Sequence, residues 1–161
     1  MDEKAATILV IDDEEDIREV LKDRLEFSSY RVLTAANGVE GLACIRAERP
    51  DLVLLDLQMP RLDGFGVLKG IASEALEVSV IILTAHGTIR GAVQAMKDGA
   101  TDFLLKPLDS EDVERVVRRA LDRVYLRREN LRLQPALKEA QDQLLLEVQR
   151  PSRYLGTELN A

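Results

Sequence analysis

At 161 residues the chain has room for one domain with a substantial core plus an appendage. Its 46% hydrophobic content excludes general disorder, and its net charge of -7 argues against non-specific attachment to nucleic acid or an anionic membrane. Cys44, the single cysteine, allows no internal disulfide and fits a reducing cytoplasm, no apolar run reaches the roughly 18 residues of a membrane span, and the start Met1-Asp2-Glu3-Lys4 lacks signal-peptide character. Strand and helix patterns then alternate along the chain. Residues 7–11 read as a strand and 14–27 as a helix, with Ile17, Val20, Leu21 and Leu25 at helical spacing. Residues 31–35 form a second strand. Asn37 or Gly38 opens a helix carrying Val39, Leu42, Ala43 and Ile45, closed before Pro50. The third strand is 51–55, and Asp63-Gly64 leads into a short helix with Phe65, Val67, Leu68 and Ile71. Residues 79–83 make the fourth strand and 88–97 the fourth helix, which Gly99 ends with a left-handed cap. Residues 101–105 make the fifth strand. Asp109 or Ser110 caps a last helix bearing Val113, Val116, Val117, Ala120, Leu121 and Val124. Five strands alternating with five helices imply an α/β fold with a doubly wound parallel sheet.

The ends of the strands carry the chemistry. Ile8-Leu9-Val10-Ile11 runs into Asp12-Asp13, and Leu52-Val53-Leu54-Leu55 into Asp56. Val80-Ile81-Ile82-Leu83 stops at Thr84, and Phe103-Leu104-Leu105 at Lys106-Pro107. Ligands bind outside the carboxyl ends of strands in an open parallel sheet, so these side chains belong to one polar site. Three carboxylates at one sheet edge repel and raise each other's pKa. A hard divalent cation relieves that conflict, and oxygen ligands suit Mg²⁺. Lys106 is free to pair with Asp56 or with a phosphoryl oxygen, and Thr84 offers one hydrogen bond. These are the parts that neutralise a phosphoryl group in transfer. Carboxylates can become aspartyl-phosphates, and Asp56, alone at a central strand end, is the nucleophile candidate.

Plainer readings exist for each residue. Asp12 and Asp13 would serve as helix caps, Asp56 as a loop acid, Lys106 as a surface lysine and Thr84 as an ordinary strand residue, but none of these explains the coincidence of all four positions. A cis bond at Lys106-Pro107 is plausible. Phe103 reads equally as core. His86, the only histidine, is expected beside the site, affecting access of water, and Cys44 as a buried helix residue. The arginines of 115–132 are interleaved with Glu114, Asp122 and Glu129, which favours a solvated face over nucleic-acid contact.

With these residues in view, the chain resembles the receiver domains of bacterial two-component response regulators from about residue 7 to 124. Asp12-Asp13, Asp56 with Met59-Pro60 and Asp63-Gly64, Thr84-Ala85 and Lys106-Pro107 carry the likeness. Thr84-Ala85-His86-Gly87 and the run from Ala95 to Phe103 are most similar to receivers of the nitrogen-regulation and dicarboxylate-transport activators, and Arg128-Glu129-Asn130-Leu131 to their linker helix. The resemblance implies a flavodoxin-like sheet of order 2-1-3-4-5. It implies that Asp56 accepts a phosphoryl group from a sensor histidine kinase or phosphotransfer protein. Asp12 and Asp13, chiefly Asp13, would hold Mg²⁺ with Asp56 and the backbone carbonyl of Gln58. Thr84 and Lys106 would bind the phosphoryl oxygens, and Phe103 would be the switch aromatic that turns inward. Such a domain is a cytoplasmic signalling module, not an enzyme in the ordinary sense: it catalyses only its own phosphoryl transfer and slow dephosphorylation, and its output is expected to be transcriptional.

No Gly-x-x-x-x-Gly-Lys-[Ser/Thr] loop follows, and the remaining length is short for a helix-turn-helix domain, so this chain is not expected to bind nucleic acid directly or to enter a membrane. Either it is a fragment or its output is its own tail. Residues 1–124 are expected as the receiver, and 125–161 as a helical linker or dimerisation tail. Leu126, Leu131 and Leu133, then Leu137, Ala140, Leu144 and Val148, extend the helical pattern; Pro135 is expected to kink or break it, and the segment from Pro151 to fray. Their apolar spacing is too irregular for a long heptad zipper. Exposed leucines still call for cover, so a homodimer is expected through this tail and the surface of the fourth and fifth helices. Two rival classes use related parts. A Mg²⁺-dependent aspartyl-phosphate phosphatase commonly has a second Asp two residues after the nucleophile, where this chain has Gln58. A flavin-binding module on the same fold needs a phosphate loop where Asp12-Asp13-Glu14-Glu15 stands.

Overall fold

A computed structural model of the chain describes residues 5–85 and 89–149. The chain divides after Val124 into two compact units. In the first, strands β1 (Thr7–Ile11), β2 (Arg31–Ala35), β3 (Leu52–Asp56), β4 (Ser79–Ala85) and β5 (Asp102–Lys106) alternate with helices α1 (Glu15–Phe27), α2 (Gly38–Glu48), α3 (Gly64–Ser73), α4 (Ile89–Lys97) and the start of α5 (Ser110–Gln149). All pairings are parallel, in the order β2-β1-β3-β4-β5, as expected for a flavodoxin-like sheet.

Both faces of the sheet are covered, and this is why its central strands are apolar throughout. Ile8, Val10, Leu52, Leu54, Ile81 and Leu83 point to one side, against Leu21 and Leu25 of α1 and Val113, Val116, Val117 and Leu121 of α5. Leu9, Ile11, Val53, Leu55, Val80 and Ile82 point to the other, against Leu42 and Ile45 of α2, Val67 and Leu68 of α3 and Ala95 of α4. Each such leucine contributes about 1.5–3 kcal/mol of burial. The alternation fixes register, because a one-residue slip would send every side chain to the wrong layer.

Local signals set the helix ends. Asn37 accepts a hydrogen bond from the Glu40 N–H at 3.0 Å, while the Glu40 carboxylate takes the Ala36 N–H at 3.2 Å, a reciprocal cap. Asp63 caps α3 by accepting from the Gly66 N–H at 2.9 Å. The next residue must be glycine: a Cβ on Gly64 would lie 2.6 Å from the Asp56 carbonyl oxygen. Gly99, at φ +117°, closes α4 in a conformation side chains resist.

Five expectations need correction. β3 includes Asp56, and β4 runs two residues beyond its apolar core, because its ladder to β5 continues through Thr84↔Leu105 and Ala85↔Lys106. β5 is shifted by one residue, to Asp102–Lys106. Cys44 is half-buried against the α2–α3 layer, not fully buried; partial burial and then Glu48 push its thiol pKa up, against the opposing charge of Arg31. Of the kink or break expected at Pro135, the break does not occur, since the residue lies inside α5. A proline removes one helical hydrogen bond and crowds the carbonyl one turn before it, but the adjoining turns carry the helix on. In the second unit, every side chain of residues 125–148 is exposed. No helix among the described residues is long and apolar enough to cross a membrane. His86, the start of the fourth helix at Thr88 and the segment from Pro151 lie outside the described residues.

Candidate functional site

The strand order reverses between β1 and β3, and a crevice at such a switch point opens at the carboxyl edge of the sheet. Asp12 and Asp13 leave the end of β1 there, Asp56 is the last residue of β3, Thr84 the second last of β4 and Lys106 the last of β5. The sheet thus brings together all the strand-end side chains singled out in the sequence.

Asp12 is fully buried. Its Oδ1 accepts the Glu14 N–H at 2.9 Å, and its backbone carbonyl accepts from the Arg18 guanidinium at 2.7 Å. Its Oδ2 lies 3.0 Å from the Lys106 ammonium yet has no hydrogen bond of acceptable angle. That contact is therefore an ion pair by distance and leaves a carboxylate lone pair unused. Asp13 is exposed. Asp56 is only 6% exposed; its Oδ1 lies 3.3 Å from the donating Gln58 N–H and its Oδ2 3.5 Å from Lys106. Thr84 is buried, with its hydroxyl 3.5 Å from the Ala85 carbonyl. Phe103, paired with Ile82 across the ladder, is 39% exposed, so the plain core reading does not hold for it. The Lys106-Pro107 bond is cis.

Charge dominates the site. Burial, and then the Asp12 carboxylate, push the Asp56 pKa up to about 6, against the opposing pull of Lys106 and the Gln58 N–H. For Lys106, burial works against the charged form, but Asp12, Asp56 and Glu14 outweigh it and raise its pKa. One ammonium therefore answers several acids. Asp12, Asp13 and Asp56 each place a carboxylate oxygen within 4.8 Å of the others. Three hard oxygen donors, one with an unused buried lone pair, fit a hard divalent cation.

Sequence reasoning missed two members of the site. Glu14 lies 3.6 Å from the Lys106 ammonium, and Arg18 holds the Asp12 carbonyl. Both sit at the start of α1 in an acidic run, and only the fold reveals which of those charges face the crevice. The main partner of Lys106 is Asp12, with Asp56 farther away.

A doubly wound domain whose switch-point crevice is lined with acids and a lysine, in place of a glycine-rich phosphate loop, suits a hard cation better than it suits the cradling of a nucleotide phosphate. Residues 8–118 match the response regulator receiver domain, and the chain belongs to that family. It is 41% identical over 123 residues to the probable transcriptional regulator ycf27 of Porphyra purpurea, covering 76% of this chain and 50% of that protein. It is 34% identical over 147 residues to the C4-dicarboxylate transport transcriptional regulatory protein DctD of Rhizobium meliloti (strain 1021), covering 91% of this chain and 32% of that one. The crystal structure of NtrX from Brucella abortus superimposes with a TM-score of 0.76 at 38% identity, over 81% of this chain and 30% of that chain. The likeness to nitrogen-regulation and dicarboxylate-transport receivers is thus present among its relatives. The chain spans about half or less of the length of these relatives.

Proposed function

We propose that this receiver is a phosphoacceptor switch in which Asp56 takes a phosphoryl group from a phosphohistidine of a sensor histidine kinase or phosphotransfer protein. The single observation that carries the reading is the placement of a buried strand-end carboxylate, Asp56, 3.5 Å from Lys106 and within 4.8 Å of the Asp12–Asp13 pair. A pKa of about 6 leaves Asp56 mostly ionised at pH 7. Its oxygen attacks phosphorus as the phosphorus–nitrogen bond breaks and the imidazole departs. The Lys106 ammonium offsets charge on the phosphoryl oxygens, and the Thr84 hydroxyl donates to one of them. Asp12 and Asp13, chiefly Asp13, with Asp56 and the Gln58 backbone carbonyl, would hold Mg²⁺, which when bound supplies further positive charge to the transferring group. The domain works in the cytoplasm, where its phosphodonor is found, and controls a transcriptional output; the names of the ycf27 and DctD relatives support that reading. Residues 1–124 act as the receiver and 125–161 as the tail. Acetyl phosphate with Mg²⁺ should give a one-phosphate mass increase, and EDTA should abolish it. Labelling that persists undiminished in EDTA would contradict the metal requirement.

The signal is read on α4, β5 and the first turns of α5. Thr84 pairs with Leu105, two residues along from Phe103, so a move of the threonine is transmitted directly to that strand. Ile89, Val93 and Met96 of α4 stand exposed, a surface ready for a partner. Beryllofluoride, mimicking a phosphoryl group on Asp56, should shift amide resonances across residues 89–124 more than across α2. Shifts confined to the loops around Asp13 and Gln58 would contradict this route.

A further inference from the structure

The site holds one charge that the phosphoryl chemistry above does not use. Glu14 stands at the start of α1 with its backbone tied down: its N–H donates to Asp12 Oδ1 at 2.9 Å, and its carbonyl accepts the Arg18 N–H at 3.1 Å. Its side chain makes no capping hydrogen bond. Nor does it pair with Arg18, four residues on, whose guanidinium goes to the Asp12 carbonyl instead. The Glu14 carboxylate lies 3.6 Å from the Lys106 ammonium, its one ion pair among the described residues. It is the outermost of the three acids around that ammonium. The Glu14 side chain is 61% exposed, against 8% for Asp56 and 0% for Asp12. Asp56 thus lies at the floor of the crevice and Glu14 at its rim.

Phosphoryl transfer runs in line, so a leaving group departs on the side of phosphorus opposite Asp56, outward past the rim. A divalent cation on Asp12, Asp13 and Asp56, together with Lys106, would match the charge of those three carboxylates. Glu14 is then the surplus, and it loses its own partner when Lys106 turns to the phosphoryl oxygens. We infer that Glu14 is a specificity-determining residue that favours phosphodonors with a protonated nitrogen leaving group over acyl phosphates. The inference rests on the phosphoacceptor reading and adds the class of donor. In a protonated phosphoramidate or phosphohistidine the leaving group carries positive charge, which a rim carboxylate attracts. As the bond from the Asp56 oxygen to phosphorus forms, the phosphorus–nitrogen bond breaks. The nitrogen keeps the bonding pair, and the leaving group departs as a neutral amine or imidazole with the proton it already carried. An acyl phosphate expels a carboxylate, so negative charge grows on the side where Glu14 stands and is repelled.

The test compares the labelling rates of the full chain with phosphoramidate and with acetyl phosphate, both with Mg²⁺ and at low ionic strength, followed by intact mass. Glu14→Gln should lower the ratio of the phosphoramidate rate to the acetyl phosphate rate by about fivefold, the effect of a unit charge a few ångströms away in water. Glu14→Asp, which keeps the charge, should retain most of the wild-type ratio. Glu19→Gln, which removes the same charge from an exposed position farther along α1, should leave the ratio unchanged. In about 1 M salt the wild-type and Glu14→Gln ratios should converge, because a rim charge is screened there. An unchanged ratio in Glu14→Gln, equal slowing with both donors, or the same fall in Glu19→Gln would overturn the inference. No labelling of the wild type by either donor would contradict the phosphoacceptor reading itself, and the inference with it.

Discussion

Replacing Lys106 with methionine should slow phosphorylation by acetyl phosphate about a hundredfold or more, the range found when one preorganised electrostatic partner is removed. The ammonium lies 3.0 Å from Asp12, 3.5 Å from Asp56 and 3.6 Å from Glu14, so it offsets the mutual repulsion of the acids and faces the oxygens of an incoming phosphoryl group. Its loss should also carry the Asp56 pKa above about 6, because burial and Asp12 would then act with less opposition. The rate should be read by mass spectrometry at a temperature where circular dichroism shows the variant folded, since Asp12 loses its only ion-pair partner among the described residues. A rate within threefold of wild type would remove Lys106 from the phosphoryl-binding set.

Asp56→Asn should stabilise the metal-free chain by about 2 kcal/mol at pH 7. The Asp56 carboxyl has a pKa near 3.8 when unperturbed and about 6 in the fold, so the folded state holds its proton more tightly. Wild-type stability from this group is therefore fully present below pH 3.8 and is lost as the pH rises through 6. The asparagine variant lacks that loss, and its advantage should grow across the window and level off above pH 7. Excess Mg²⁺ should narrow the gap by binding the native wild type more tightly than the variant. Urea melts at pH 4 and pH 7, with and without Mg²⁺, measure all of this. A variant less stable than wild type at pH 7 would mean that Lys106 and the Gln58 N–H more than compensate the buried charge.

The fold was legible because each central strand is a short apolar run bounded by turn residues, and because the alternation leaves few topologies to choose from. Asp63-Gly64 and Gly99 announced their turns for reasons the structure makes concrete: a cap on Gly66, a contact with the Asp56 carbonyl too close for a side chain, and a positive φ. Apolar pattern does not record where a hydrogen-bond ladder ends, and so β4 ran past Leu83 to take in Thr84. Pro135 did not break its helix, because a proline weakens a helix locally without dictating whether neighbouring turns hold. The acids and the lysine of the site were visible from their strand-end positions. The dominance of the Asp12–Lys106 pair, and the parts played by Glu14 and Arg18, depend on side-chain reach across the crevice, which linear order does not encode.

The most direct measurement is intact-mass and peptide mapping of the wild type and Asp56→Asn after incubation with acetyl phosphate and Mg²⁺. The wild type should carry a single phosphate on the peptide containing Asp56, and the asparagine variant none. Equal labelling of the variant, or a phosphate mapped to another peptide of the wild type, would contradict Asp56 as the acceptor.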